Sequence, residues 1–179
     1  MRMRTAKSGN VWHIMLGLAL ALAMALGLSS AAFAQEQPAA DAGGVKVVTT
    51  NAPPVRIGSR WIASTFLNNE GGKLQNSVIQ LGWVSSMWTI DPIEGDRVRI
   101  RSVWLQDQYL NVEGGALNSG AVPPESASAQ WTMEPIGKGF YVRFRNVGNP
   151  ELYINVAEGK LQASAIQPDS LSADWWLLK

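Results

Sequence analysis

The chain of 179 residues contains no cysteine and a single histidine, His13. Without cysteine there is no disulfide, so a folded domain must be held together by its hydrophobic core. His13 lies in a segment that we expect to be removed, and a mature chain without histidine and cysteine excludes Ser-His-Asp and Cys-His catalytic systems. It also excludes a zinc site built from nitrogen and sulfur ligands. We therefore expect neither a cofactor nor a metal centre.

Residues 1–34 have the pattern of a signal peptide. Three basic residues within the first seven positions precede an apolar run over 14–28, and Ala-Phe-Ala at 32–34 forms a small-x-small cleavage site. The alternative is an uncleaved membrane helix, but an apolar run of about 15 residues is shorter than the roughly 20 that span a bilayer. We predict cleavage, export to the periplasm or the extracellular space, and no membrane span in the mature chain.

Cleavage would also change the charge of the chain. Residues 1–34 carry three of the 15 basic residues and none of the 14 acidic ones, which leaves 12 basic against 14 acidic residues. A slightly acidic chain has no positive field to attract nucleic acid, so we expect no nucleic-acid partner. Residues 35–54 are rich in alanine, glycine, proline and glutamine, and this composition predicts a flexible linker.

A motif recurs three times over residues 55–179. It reads Phe-Leu-Asn-Asn-Glu-Gly-Gly-Lys-Leu at 66–74, Tyr-Leu-Asn-Val-Glu-Gly-Gly-Ala-Leu at 109–117 and Tyr-Ile-Asn-Val-Ala-Glu-Gly-Lys-Leu at 153–161. Each copy is followed by a tryptophan, and both features repeat at steps of 43 and 44 positions: Trp88, Trp131 and Trp175. At such a period each copy is one supersecondary unit that cannot bury its apolar face alone. We predict one closed domain of three repeats, 55–97, 98–141 and 142–179.

The repeats are predicted to be built from strands. Their apolar residues come in short runs bounded by turn residues, a pattern typical of strands rather than helices. In the second repeat the strands are expected near 98–103, 109–112, from 116 onward, and over 130–133. The glycines at 114–115 suit a tight hairpin turn because glycine adopts positive φ without strain. Four strands in each of three repeats predict an all-β domain of about twelve strands.

Positions that are apolar in all three repeats form the predicted core. Fully burying one such side chain is worth roughly 1.5–3 kcal/mol. The set is Val55, Val98, Val142, Ile57, Ile100, Phe144, Phe66, Tyr109, Tyr153, Leu67, Leu110, Ile154, Leu74, Leu117, Leu161, Ile79, Val122, Ile166, Trp88, Trp131 and Trp175.

The pattern Tyr-Leu-Asn-x-x-x-Gly-x-Leu, followed by Ser-Ala-x-Trp, resembles the β-trefoil of ricin-B-type lectins and fascin-like proteins. The resemblance covers all of 55–179 and implies a β-trefoil fold with pseudo-three-fold symmetry. It also implies a glycan or polysaccharide as partner. The chain departs from the ricin pattern two residues before each tryptophan, where Ser86, Ala129 and Ala173 replace glutamine.

Two tryptophans outside the core set are candidates for a sugar site. Trp61 and Trp104 occupy equivalent places in the first two repeats, where the third has Gly148, and they lie in the connection that holds the sugar pockets of trefoil lectins. An indole stacks on the apolar face of a sugar while carboxylates and amides bind its hydroxyls. The second repeat therefore offers the best candidate site, with Trp104, Gln106, Asp107, Gln108 and Asn111. The alternative is that Trp104 packs over the mouth of the barrel.

The other two repeats offer less complete sets. The first has Trp61 and Asn68 but no acid in this stretch, and the third has Glu151 and Asn155 but no tryptophan. The asparagines at 68, 111 and 155 recur in every repeat. They either contact ligand or hydrogen-bond to nearby backbone and shape the hairpin, and the second interpretation is favoured. The recurring arginines at 56, 99 and 143 are predicted to lie on an exposed face or to pair with acids.

Three classes of function remain. The first is a secreted, non-catalytic module that binds glycan or cell-wall polysaccharide. The second is a protein-interaction domain such as a protease inhibitor, with 122–125 and 148–150 as candidate contact loops, and the third is a structural envelope protein. An enzyme is not expected, because hydrolysis of a glycoside needs two carboxylates across one cleft and no pattern in the sequence pairs any two acids.

Overall fold

The computed structural model describes residues 52–179, and each of the three repeats forms four strands. The first contributes β1 (Arg56–Ser59), β2 (Phe66–Glu70), β3 (Lys73–Ser77) and β4 (Trp88–Pro92); the second β5 (Arg97–Ser102), β6 (Tyr109–Glu113), β7 (Ala116–Gly120) and β8 (Trp131–Ile136); the third β9 (Tyr141–Asn146), β10 (Tyr153–Ala157), β11 (Lys160–Ser164) and β12 (Trp175–Leu178). Within this part of the chain, no helix has the length and hydropathy needed to cross a membrane. The predicted signal peptide and residues 35–51 of the predicted linker lie outside the described residues.

Six strands close a barrel. Antiparallel pairs join β12 to β1, β4 to β5, β5 to β8, β8 to β9 and β9 to β12. A bridge between Val55 and Trp88 joins β1 to β4, with both N–H···O distances at 2.8 Å. Closure leaves no long unpaired edge in the barrel, which removes a common route to aggregation.

The other six strands form three hairpins, β2–β3, β6–β7 and β10–β11. The second strands of the hairpins contact one another, so the hairpins cover one end of the barrel together. Each hairpin turns through two residues with positive φ, and the first of these is Gly71, Gly114 or Glu158. Glu158 is not a glycine, yet it takes the same left-handed conformation, with φ of 51°. Three hairpins over a six-stranded barrel are the predicted β-trefoil.

The three repeated tryptophans lie at the centre of the core. Trp88, Trp131 and Trp175 are completely buried, and each indole Nε1 donates to a backbone carbonyl 21 residues earlier in the chain. The acceptors and distances are Leu67 O at 2.9 Å, Leu110 O at 3.0 Å and Ile154 O at 2.9 Å. Each bond joins the fourth strand of a repeat to its second strand. A buried N–H without a partner would be costly, so these bonds make full burial of the indoles possible.

Part of the predicted core lies outside the buried cluster. Phe66, Tyr109 and Tyr153 are half-buried, because each precedes an inward-facing leucine or isoleucine and successive strand residues point to opposite faces. Tyr109 instead stacks under the Arg99 guanidinium, 3.7 Å from its ring centre. The set Ile79, Val122 and Ile166 is also only half-buried, since these residues follow the ends of β3, β7 and β11.

Trp176 packs on the outer face of the barrel, and this packing requires Gly58. The two residues are directly opposed in the β1–β12 pair, and Phe66 meets the indole edge-on with ring centres 5.1 Å apart. A Cβ atom at Gly58 would overlap the Trp176 ring. The close approach of backbone and indole therefore depends on the missing side chain.

Gly58→Ala should lower the free energy of unfolding by about 1–3 kcal/mol, the usual cost of overpacking. Gly120→Ala is the matched control, because a Cβ atom there would lie at an ordinary 3.6 Å from Asn111 Nδ2. We expect the control to change stability by less than about 0.5 kcal/mol. Urea unfolding of both variants measures the difference, and equal stabilities would contradict the packing described for Trp176.

Candidate functional site

Trp61 and Trp104 are the two tryptophans with exposed side chains among the described residues. The first is 59% exposed and the second 47%. They lie in the β1–β2 and β5–β6 connections, at positions 43 residues apart in the repeat. Roughly half of each indole surface is therefore open to solvent and available to a ligand.

The Trp104 cleft has a volume of about 290 Å3. Its lining combines two indoles with one carboxylate and one hydroxyl. The residues are Glu70, Gly82, Trp83, Val84, Ser85 and Trp104. All of them except Trp104 belong to the first repeat, so the cleft lies between two repeats rather than within one.

The Trp61 cleft has a volume of about 330 Å3. Here a single indole faces one carboxylate, one amide and two hydroxyls. The lining residues are Trp61, Gln167, Asp169, Ser170, Leu171 and Ser172. All of them except Trp61 belong to the third repeat. Apart from Glu70, which ends β2, each cleft therefore lies between the third connection of one repeat and the first connection of the next.

Strand register explains why these two connections meet. The end of β5 is opposed to the start of β4 at the pair Ser102 and Trp88. The third connection of the first repeat enters this pair just before Trp88, and the first connection of the second repeat leaves it just after Ser102. Ser59 and Trp175 form the same junction between β1 and β12. The two clefts are thus equivalent under the pseudo-three-fold symmetry.

At the third equivalent position the two connections are in direct contact. Gly148 replaces the tryptophan, and its N–H donates to Ala127 O at 3.1 Å. A Cβ atom at Gly148 would lie only 3.1 Å from the Ala127 carbonyl carbon and 3.2 Å from Ser128 N. The two connections touch here, so a side chain at position 148 would require the backbone at 127–128 to shift. Of the three equivalent junctions, two therefore carry an exposed tryptophan and a cleft.

The repeated arginines hold the connections that form the clefts. Arg56 donates to Leu81 O, Arg99 to Val122 O at 3.1 Å, and Arg143 to Pro168 O at 3.0 Å and Ser170 O at 2.9 Å. Arg99 is 2% exposed, and removal from water lowers the pKa of its guanidinium. The prediction of exposed or acid-paired arginines is therefore corrected for Arg99. Only Arg143 of the three forms an ion pair, with Asp174.

The structure gives Trp104 neighbours that differ from the predicted ones. Gln106 and Asp107 are exposed on the same connection but do not line the Trp104 cleft. Gln108 turns toward the hairpins, where its Oε1 accepts from Asn69 Nδ2 at 3.3 Å and from Ser119 Oγ at 3.2 Å. Of the set predicted in the second repeat, Trp104 lines this cleft.

The repeated asparagines are hairpin residues. Asn68, Asn111 and Asn155 are at most 2% exposed, and each Nδ2 donates to the carbonyl two residues earlier, at 3.0, 3.1 and 2.9 Å. Each of these amides is therefore held by its own hairpin, beneath the surface of the domain. Glu151 is exposed in the β9–β10 connection and lines neither cleft.

The residues that sequence reasoning missed come from the neighbouring repeat. They are chiefly Glu70, Ser85, Asp169 and Ser172, whereas Trp83 is already a candidate as an aromatic residue outside the core set. The signal that could have found two of them is the repeat itself, since Ser85 and Ser172 are equivalent positions. Within residues 52–179, no three histidine, cysteine, aspartate or glutamate side chains come together in a way that could hold a metal ion.

Comparison with known proteins supports the fold. No family model matches the chain, and the curated proteins gave no match either. Among solved structures, a Clostridium perfringens endo-β-galactosidase that releases GlcNAcα1-4Gal has a TM-score of 0.62 and 26% identity. The alignment covers 72% of this chain and 33% of the galactosidase.

Two further structures are similar. A Polyporus squamosus lectin bound to Neu5Acα2-6Galβ1-4GlcNAc has a TM-score of 0.61 and 16% identity, over 72% of this chain and 50% of the lectin. The designed three-fold symmetric protein ThreeFoil has a TM-score of 0.60 and 12% identity, over 70% of this chain and 98% of ThreeFoil. This chain thus spans about a third of the galactosidase and half of the lectin. The predicted β-trefoil fold is confirmed.

Proposed function

We propose that this chain is an exported, non-catalytic module that binds carbohydrate in the Trp104 and Trp61 clefts. The observation that carries the proposal is the pair of exposed indoles at equivalent junctions, each in a cleft with one carboxylate. A core role would bury these indoles, and chance exposure would not place both at the same position of the repeat. Binding is the role that accounts for both features.

The lining chemistry suits a sugar. The apolar face of a pyranose stacks on an indole, and its hydroxyls donate to Glu70 in one cleft or Asp169 in the other. Hydrogen bonds to a charged acceptor are worth roughly 1.5–3 kcal/mol, against about 1 kcal/mol for neutral pairs. Ser85 and Ser172 supply hydroxyls at equivalent positions. Pockets that combine apolar walls with a few polar groups are the usual form of a small-ligand site.

Two arguments support a binding role without catalysis. The described lining of each cleft contains one carboxylate, whereas the usual mechanisms of glycoside hydrolysis use two. Similar structures include a lectin bound to a sialylated trisaccharide and a galactosidase of which this chain matches a third. The signal-peptide pattern of residues 1–34 supports the proposed location in the periplasm or the extracellular space.

Replacing both exposed tryptophans, in Trp61→Ala/Trp104→Ala, should abolish glycan binding and leave the melting temperature nearly unchanged. The reason is that each indole provides the stacking plane of its cleft and neither belongs to the buried core. A glycan array identifies the ligand, and isothermal titration on each single variant should then show loss of one site. Phe140→Ala is the matched control, because Phe140 is 77% exposed and lines neither cleft.

Unaltered affinity in the folded double variant would refute the assignment of both clefts. A lower melting temperature with unaltered affinity per folded molecule would instead indicate a packing role for these indoles. Binding lost equally in Phe140→Ala would show that the effect does not arise in the clefts.

One observation favours a second candidate, a protein-interaction surface. Val78 and Leu81 are 68% and 85% exposed in the β3–β4 connection, which also forms the Trp104 cleft. Exposed apolar side chains next to a cleft are common in protein-binding surfaces. A partner protein, whether a protease or an envelope component, would bind the wild type but not the Leu81→Asp variant. In that case the glycan array would show no binding.

A further inference from the structure

We propose that the Trp104 cleft selects ligands with an ammonium group, whereas the Trp61 cleft takes neutral sugars. This inference rests on the proposed function of the same clefts and adds the chemical class of ligand. An ammonium group can be carried by an amino sugar such as glucosamine or by a choline-type head group. The chemistry that recognises it is the same in both cases.

The first observation is the second indole. Trp83 and Trp104 both border the Trp104 cleft, whereas the position equivalent to Trp83 in the Trp61 cleft is Ser170. The face of an indole is electron-rich and attracts cations, and tryptophan is the best of the aromatic side chains in this respect. Sites built from two or more aromatic side chains are the usual means of binding quaternary ammonium groups. Two indoles in one small cleft provide this environment.

The second observation is a carboxylate, Glu70, that forms no ion pair with a described residue, although Lys73 is directly opposed to it in the β2–β3 pair. Glu70 lines the Trp104 cleft, and the lining residues that the structure describes include no lysine or arginine. Gln75 Nε2 donates to Glu70 Oε2 at 3.1 Å and so orients the carboxylate without neutralising it. Arg56 is engaged elsewhere, since its guanidinium donates to Leu81 O and to Ser86 Oγ. A carboxylate beside two indoles is therefore left for a cation supplied by the ligand.

The Trp61 cleft also contains one carboxylate, Asp169, and it differs from the Trp104 cleft in having a single indole. The rest of its lining provides amide and hydroxyl groups from Gln167, Ser170 and Ser172. Next to Trp61 in the chain, the Arg60 guanidinium stacks on Tyr141 at 4.4 Å and pairs with Asp174 at 2.8 Å. Asp174 also pairs with Arg143 at 2.7 Å, so the three groups together carry one net positive charge. Hydrogen-bonding groups without a cation-binding cage suit a neutral polyol. The two clefts are thus equivalent in position and different in chemistry.

The test is isothermal titration of the full mature chain with paired probes. Glucosamine oligomers are compared with N-acetylglucosamine oligomers, and choline with its neutral isostere 3,3-dimethylbutan-1-ol, at pH 6 where the amines are charged. We expect at least one ammonium probe to bind about tenfold more tightly than its neutral partner, in line with the strength of cation–π contacts in a partly desolvated site. This preference should be lost in Trp83→Ser, which copies Ser170, and in Glu70→Gln.

Two controls keep the result specific. Trp83→Phe retains an aromatic face and should therefore keep most of the preference for the ammonium probe. This result requires that the β3–β4 connection stays folded in the Trp83 variants. Trp61→Ala should leave the preference unchanged, because that indole belongs to the other cleft.

Each outcome decides something. Preference for glucosamine oligomers alone identifies an amino sugar, and preference for choline alone identifies a choline-type head group. Equal affinity for charged and neutral probes overturns the inference, and the proposed function still stands if neutral glycans bind through Trp104. If no probe binds and the glycan array is also blank, both are overturned.

Discussion

Trp131→Ala is expected to lower the free energy of unfolding by about 3–5 kcal/mol, the usual range for truncating a buried aromatic side chain. Trp131 has no exposed surface, and its removal leaves a cavity where the β5–β8 pair meets the second hairpin. It also removes the indole N–H that donates to Leu110 O at 3.0 Å. The loss should therefore combine a cavity term with an unsatisfied carbonyl.

Urea unfolding of the mature chain measures this effect as a lower midpoint at an unchanged slope. Trp131→Phe separates the two terms, because it keeps part of the volume but loses the hydrogen bond to Leu110 O. Phe140→Ala serves again as the exposed control and should change stability by less than about 0.5 kcal/mol. A loss of under about 1 kcal/mol for Trp131→Ala would mean that the indole does not hold the second repeat together.

The tryptophan core shows how much of the fold is predictable from the sequence. A period of 43 to 44 residues places three indoles at equivalent positions, and three-fold symmetry then requires them to share one environment. The backbone carbonyls that accept from the indole N–H groups are harder to predict, although each lies 21 residues before its tryptophan. Repetition predicts that the partners are equivalent but not which backbone carbonyl is in reach.

Adjacent apolar residues are harder to assign. In Phe66-Leu67, Tyr109-Leu110 and Tyr153-Ile154 both residues are apolar, and a strand can turn only one of them inward. The structure turns the leucine or isoleucine inward and leaves the aromatic ring on the outer face. Register decides between the two, and register depends on pairings with strands far away in the sequence.

For a related reason, the tryptophans of the two clefts could be predicted from the sequence but the residues around them could not. Trp61, Trp104 and the missing tryptophan at Gly148 can be identified by aligning the repeats. Their neighbours cannot be found in this way, because the lining comes from the preceding repeat in a cyclic order. For Trp61 that neighbour is the third repeat, more than 100 positions later in the chain. Only closure of the barrel brings Asp169 beside Trp61, and local sequence contains no trace of that closure.

Closure of the barrel also depends on the ion pairs of one residue, Asp174. Its carboxylate is 1% exposed and accepts from Arg143 Nε at 2.7 Å and from the Arg60 guanidinium at 2.8 Å. The backbone carbonyl of the same residue accepts from Arg60 N at 3.0 Å. Asp174 thus ties the first repeat to the third at the junction that completes the barrel. The equivalent residues in the other two repeats are Met87 and Gln130, so this ionic junction occurs once.

Asp174→Ala is expected to lower the free energy of unfolding by about 3 kcal/mol. That is the lower end of the range for breaking a buried ion pair, since removal of the carboxylate leaves Arg143, 11% exposed, without its counter-charge. The lower end applies because Arg60 is 35% exposed and is partly screened by water. Asp169→Ala, a change of an exposed acid on the same connection, should cost less than about 0.5 kcal/mol.

The comparison of Asp174→Ala with Asp174→Met decides whether the charge or the packing matters at this junction. Methionine is the residue of the first repeat at this position and fills the space without charge. If the junction is ionic, Asp174→Met should be destabilised nearly as much as Asp174→Ala, and both should weaken binding in the Trp61 cleft, because Arg143 holds Ser170 O in its lining. Full stability in Asp174→Met would show that Asp174 fills space rather than pairing charges. Unchanged Trp61-dependent binding in a destabilised variant would show that Ser170 keeps its place without the ion pair.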